Sequence, residues 1–498
     1  MLAGAGAAAA ALALPGRAHA KTCPKVAVVG GGIAGMTCAV KLFDRGIPCT
    51  VFEGQGRVGG RMFSNTSYFG GGSLVSEWCG ELIDTGSLAL KHLVQRFGLE
   101  FDDLLDGEPD GSEDTYYFFG QHYPRAQFEI DMEPVADAAI AHANAAGWPI
   151  LWDDHAPAAA ALDQMSVYDW VEANVPGGHD SQLGTLLDLA YTAEYANDSW
   201  AQSALNLVIL AGYQSPSGDL ETLGVSDGRF HIHGGNQSLP NAMANYLGVG
   251  SVVKLGHRLA KIRQTAAGRY KLTFEVGGAT ITDTFDYVVL ALPFAVLRTL
   301  DYSQAGFDPL KETAVTQQGT GKSRKLQMEF TDRHWNGTGA WPGVGNGISY
   351  SDTGYQWTWD VSRAQPGQAG VLTTFTGGAA VDSATSPAGY AQASWSPHVA
   401  ADAQAALAQL EPVYPGLSAK WTGRAMESLP HKSPFFKASY STYLVGQYTS
   451  FAGYERVRQG GILFCGEHTS TDYQGFMEGA AQEGNRAAKE LHKLIRGS

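Results

Sequence analysis

The sequence predicts an α/β fold, α+β over the whole chain. A Rossmann-like domain assembled from discontinuous segments is joined to a second domain of mixed sheet plus a helical subdomain. Three observations carry that prediction. An apolar run at 26–29 leads into glycines spaced G-x-G-x-x-G and an amphipathic stretch, the pattern of strand, tight turn and helix. Short alternating or β-branched segments separated by Gly, Asp or Thr fill 251–290 and read as a strand meander. The C-terminus returns to apolar strand, glycine and long helix over 461–495. A chain of 498 residues has room for two or three domains.

Residues 1–20, "MLAGAGAAAAALALPGRAHA", look like the apolar middle of an export signal ending in the cleavage box Ala18-His19-Ala20, without a basic leader. The chain is therefore expected to be secreted or periplasmic in origin, and cytoplasmic where that remnant does not direct export. In the glycine turn, Gly30 permits the tight bend, Gly32 lets a pyrophosphate approach the backbone, and Gly35 lets the helix of about 34–45 pack on the strand. A second strand at 49–52 ends in Glu53, at the spacing expected of a carboxylate that takes ribose hydroxyls. The acidic run of 100–114 reads as a solvated loop. Helix is expected from about 166 to 212, opened by Ser166 with Asp169 three residues on, a capping-box pattern. A buried strand follows at 287–290. The nucleotide domain is expected to comprise 21–102, 224–299 and 459–498; 103–223 and 300–458 form the substrate domain, with 126–223 mainly helical.

A formal charge of −15 argues against nucleic-acid binding, which needs a basic face. Five cysteines without a C-x-x-C pair suggest small buried side chains, neither a disulfide framework nor a metal site. No apolar span is long enough to cross a bilayer. No Ser-His-Asp order, H-E-x-x-H or paired-carboxylate motif competes for the chemistry.

Read together, "VAVVGGGIAGMTCAVKLFDRGIPCTVFEGQGRVGGRMFS", "RFHIHGGNQSLPNAMA", "DYVVLALP" and "GILFCGEHTSTDYQGFMEGAAQEGNRAAKEL" resemble the flavin amine oxidases, the family of monoamine, polyamine and L-amino-acid oxidases. The block "RVGGR", 57–61, is far more specific than the glycine triplet, and with "GEHT" and "EGA" the resemblance implies FAD. It implies that Gly30, Gly32 and Gly35 cradle the pyrophosphate, with Gly60 in the same block, and that Glu53 takes the adenosine ribose. Arg61 adds charge to the phosphates, Val253 meets the adenine with its backbone, Gly466 and Glu467 meet the ribityl-phosphate portion, and the backbone at Met477 faces the pyrimidine end of the flavin. A helix N-terminus there suits negative charge on the reduced ring.

Lys325 occupies the position of a lysine that in these oxidases reaches flavin N5 through water, with Lys322 and Arg324 leaving the register open. Tyr440 and Phe476 match the aromatic pair flanking the substrate nitrogen, where π-faces suit an amine. Trp357 and Trp359, alternate residues of one strand, share a face that lines either the substrate slot or the core. Ser439 stands where monoamine oxidases carry the cysteine that bonds the flavin, so FAD is expected to be non-covalent. Leu82 stands where venom L-amino-acid oxidases carry an arginine for the substrate carboxylate.

The resemblance implies oxidation of a C–N bond, with hydride passing to flavin N5 and oxygen reoxidising the flavin to hydrogen peroxide. The expected substrate is an L-amino acid, giving a 2-oxo acid and ammonia. A primary amine or polyamine is the nearest rival, and a flavin dehydrogenase with a protein electron acceptor a more distant one. Neither a nucleic-acid partner nor a metal is expected, and a homodimer is.

Overall fold

Val26–Val29 is β-branched or small throughout and buried at every position, which fits a strand covered on both faces. In the computed structural model, which describes residues 23–214 and 220–497, it is the central strand of a parallel sheet. The sheet order is Ile462–Phe464, Tyr287–Leu290, Val26–Val29, Cys49–Phe52, Val253–Lys254, so its strands come from widely separated parts of the chain. The expected export remnant lies outside the described residues.

Helix Ile33–Phe43 packs on this sheet, and helix Met477–Gly497 packs on that helix in turn. The crossing is close because Gly484 has no side chain: a Cβ there would lie 2.2 Å from the carbonyl oxygen of Ala34. Beside the sheet stands the expected meander, Arg258–Gln264, Tyr270–Val276 and Ala279–Phe285, antiparallel in sequence, with Asp301–Gln304 parallel to the first strand.

The second region is a nine-stranded sheet whose centre runs Trp421–Ser428, Ser323–Phe330, Gly370–Gly377, Trp357–Asp360 and Gly345–Ser351. Five α-helices lie between Arg125 and Gly212, and Arg125–Ala146 and Gln182–Tyr195 bring this group against the sheet. Ser166 caps Val167–Asn174 through a reciprocal bond with Asp169, as the sequence spacing predicts. Helix Gln182–Tyr195 lies against strands Gly370–Gly377 and Gly345–Ser351.

Two sequence readings are corrected. The acidic run is a solvated loop only in its middle, where Asp106 and Asp110 are exposed: Phe101–Asp103 pairs with Phe230–Ile232, Asp103 ion-pairs with Arg229, and Glu113–Phe118 joins the large sheet. Of the cysteines, Cys38 and Cys465 are buried and all five are free, but Cys23 is exposed.

Candidate active site

The two regions enclose one elongated cavity of about 1340 Å³, larger than the ~300–1,000 Å³ of ordinary ligand pockets. Its nucleotide end is built by the glycine turn. A Cβ at Gly30 (φ 108°) would lie 2.4 Å from the Ala291 carbonyl oxygen, and one at Gly35 would lie 2.0 Å from the Gly30 carbonyl oxygen, so both are closed to larger residues. Gly32 differs, since a Cβ there would meet nothing within 4 Å and would project into open space. Block 57–61 folds over this turn: the Gly59 N–H donates to the Gly31 carbonyl at 2.8 Å, and a Cβ at Gly60 would lie 3.3 Å from Gly32 Cα.

Glu53 is buried beside the turn and accepts the N–H groups of Gly31 and Gln55, each at 2.7 Å. Burial lifts its carboxyl above the ordinary range, and those two donors offset part of the rise. Val253 does not reach the cavity: it is fully buried at the sheet edge, paired with Val51. Leu259, in the next strand, lines the cavity with His257 and Arg258, which corrects the residue expected against an adenine.

At mid-cavity, Arg61 donates to Glu467 Oε1 at 3.0 Å and to the Ser439 carbonyl at 2.7 Å. Glu467 also accepts the Ser441 hydroxyl at 2.6 Å and the Gly475 N–H at 3.0 Å. Burial alone would raise the Glu467 carboxyl, but Arg61, His468 and Ser441 outweigh it and hold it below the usual carboxylate range. His468 is buried beside it with neither ring nitrogen hydrogen-bonded, and burial pulls it down to about 4.

At the far end Met477 opens the last helix and lines the cavity with Phe476 and Tyr440. The Tyr440 hydroxyl donates to the Ala193 carbonyl at 3.1 Å. Of the three cations at 322–325, only Lys325 lines the cavity; Lys322 pairs with Asp382, and Arg324 with Glu427 and Asp402. Lys325 Nζ donates to Glu81 Oε2 and to the Cys79 carbonyl, both at 2.7 Å, while the Trp359 N–H donates to Glu81 Oε1 at 2.9 Å. Burial raises the Glu81 carboxyl, but Lys325 more than offsets it. Trp357 and Trp359 both line the chamber, their ring centroids 4.8 Å apart.

A sequence profile of the flavin-containing amine oxidoreductases matches residues 33–492. The chain belongs to that family. Members of this flavin-containing family use FAD, and the cavity fits it. The Glu53 carboxylate beside the open cradle at Gly32, and the buried unpartnered nitrogens of His468 and Gln474, all line it. A pseudooxynicotine dehydrogenase from a Pseudomonas species is 24% identical over 94% of this chain and 86% of the relative. The L-amino-acid oxidase of Pseudechis australis is 21% identical over the same shares of both chains. Among solved structures, a putrescine oxidase double mutant superposes with a TM-score of 0.78 at 20% identity, covering 94% of this chain and 99% of that one. This flavin amine oxidoreductase therefore has relatives acting on different nitrogen compounds.

Several cavity residues escape motif reading. Glu194 is one: Leu183, Leu187 and Ala190 form the buried stripe of helix Gln182–Tyr195, and Glu194 continues it as a carboxylate. That break in an apolar stripe is a sequence signal. Asp84 and Glu81, in "SEWCGELIDTG", carry no pattern at all.

Proposed function

We propose that this enzyme oxidises the C–N bond of a cationic amine, the primary amine or polyamine alternative, in preference to an L-amino acid. One observation carries the reading: every arginine and lysine lining the cavity is already ion-paired with a carboxylate of the protein. The pairs are Arg61 with Glu467, Arg125 with Glu221, Arg258 with Glu275, Lys325 with Glu81, and Arg363 with Glu108. A substrate carboxylate bound at any of them would have to share the cation with a protein carboxylate of like charge. Two carboxyls of the cavity, by contrast, have no ion pair among the described residues: Glu194, which burial lifts to about 7, and Asp114, which burial and the neighbouring Glu221 lift to about 7 against Arg125.

FAD, when bound, supplies the two-electron acceptor. The chain's own residues do the rest. Tyr440 and Phe476 offer aromatic faces to the nitrogen, and Trp357, Ile348 and Leu82 give the chamber apolar walls that keep bulk water from the reacting carbon. Lys325 is fixed by Glu81 and the Cys79 carbonyl, so it presents its ammonium in one place. Ser439 carries a hydroxyl in place of a thiol, which supports non-covalent FAD.

The test compares each amino acid with the amine left by removing its carboxyl: L-lysine with 1,5-diaminopentane, and L-leucine with 3-methylbutylamine. Turnover is followed by peroxide formation and, independently, by reduction of an acceptor dye. Each amine should exceed its amino acid by about a hundredfold or more in kcat/KM, because a carboxylate facing paired cations leaves charged groups poorly matched. Equal or better turnover of the amino acids would reject the proposal.

A further inference from the structure

Resting on that reading, we infer that the substrate carries a second positive charge, and that Glu194 and Asp84 form the subsite that receives it. Both line the cavity. Among the described residues nothing hydrogen-bonds to the Glu194 carboxyl or ion-pairs with it. Asp84 accepts the Gly228 N–H at 2.8 Å and the Ser226 hydroxyl at 3.2 Å, and meets no cation. Thr222, 3% exposed, lines the same chamber with its hydroxyl unpartnered. Two carboxylates and a free hydroxyl oxygen suit an ammonium, which has three N–H donors and no acceptor.

Both lie near the aromatic pair. Glu194 sits within electrostatic reach of Tyr440, Asp84 within reach of Glu194, and Asp84 again within reach of Tyr473 on the segment leading to Phe476. Asp227 lines the cavity as well. The reacting nitrogen must lose its proton before hydride can leave the adjacent carbon, so a carboxylate holding it as ammonium would oppose the reaction. These anions therefore serve a nitrogen that stays charged: one end of the substrate between Tyr440 and Phe476, the other on Glu194 and Asp84. The chemical class is an α,ω-diamine or polyamine.

The experiment measures anaerobic flavin reduction of the FAD-loaded enzyme by 1,4-diaminobutane and by n-pentylamine, the same chain with a methyl in place of the second amine. In the unsubstituted protein the diamine should be favoured by about a hundredfold in second-order reduction rate, the order expected for a desolvated charge pair. In Glu194→Gln, and separately in Asp84→Asn, the diamine should lose about thirtyfold more than n-pentylamine, the worth of a charged hydrogen bond. The flavin absorbance of each variant establishes that it has folded and loaded. Equal rates for the two amines in the unsubstituted protein, or equal losses in the variants, would overturn the second-charge subsite while leaving amine oxidation standing. Failure of every amine to reduce the flavin would overturn both.

Discussion

Glu194→Gln makes a quantitative test possible without any substrate. Burial raises the Glu194 carboxyl from an ordinary 4.5 to about 7, so the folded protein holds this proton more tightly than the unfolded chain. The folded state then binds more protons between those two values, and stability falls as pH rises through the window. The full penalty is about 3 kcal/mol, approached above pH 7. At pH 5.5 less than half of it is present. Glutamine carries no charge at either pH, so its advantage should grow by about 2 kcal/mol between pH 5.5 and pH 8. Denaturant unfolding of the FAD-loaded proteins, read by flavin release and by circular dichroism, measures that difference. A gain independent of pH, or a variant less stable at pH 8 than at pH 5.5 relative to the unsubstituted protein, would mean that the Glu194 carboxyl is not raised by burial.

Gly32→Val should leave circular dichroism unchanged and abolish flavin binding, because the new side chain meets no protein atom and fills the cradle; Gly30→Val should fail to fold, since its Cβ would strike the Ala291 carbonyl. Lys325→Met strands the buried Glu81 carboxylate and should cost about 3–5 kcal/mol in denaturant unfolding, most of it recovered in the double variant Lys325→Met/Glu81→Gln. The same single substitution should slow flavin reduction by about a hundredfold or more if the ammonium takes part in proton handling, measured under anaerobic mixing. Acid precipitation of the protein should send all the yellow colour to the supernatant, as Ser439 offers no thiol for a covalent bond.

The nucleotide half was legible because its signals are local. A tight turn needs glycine at Gly30 whatever else the chain does, and Glu53 lies one strand away from that turn. Adenine-side contacts were not, since Val253 and Leu259 are both buried apolar residues of neighbouring segments, Val253–Lys254 and Arg258–Gln264, that also carry charged residues. Only the crossing of the meander over the sheet decides that Leu259 meets the cavity. Alternation fails for Lys325 as well: strand Ser323–Phe330 is buried on both faces at most positions, so no polar face marks the register. The acidic run misled for a related reason. Glu108 finds Arg363 at 2.5 Å and Asp103 finds Arg229, partners more than a hundred residues away that composition cannot supply. Glu194 was missed because a single charged residue on an apolar stripe carries meaning only when the stripe faces a chamber.

A chamber built around FAD, whose lining arginines and lysines are all ion-paired among the described residues, accepts amines and turns away carboxylates. Anaerobic titration of the yellow protein with 3-methylbutylamine and, separately, with L-leucine tests it most directly, since neither oxygen nor any other acceptor enters. The amine should bleach the oxidised flavin band and the amino acid should leave it intact. Bleaching by L-leucine with the amine inert would mean that the chamber selects for the carboxylate.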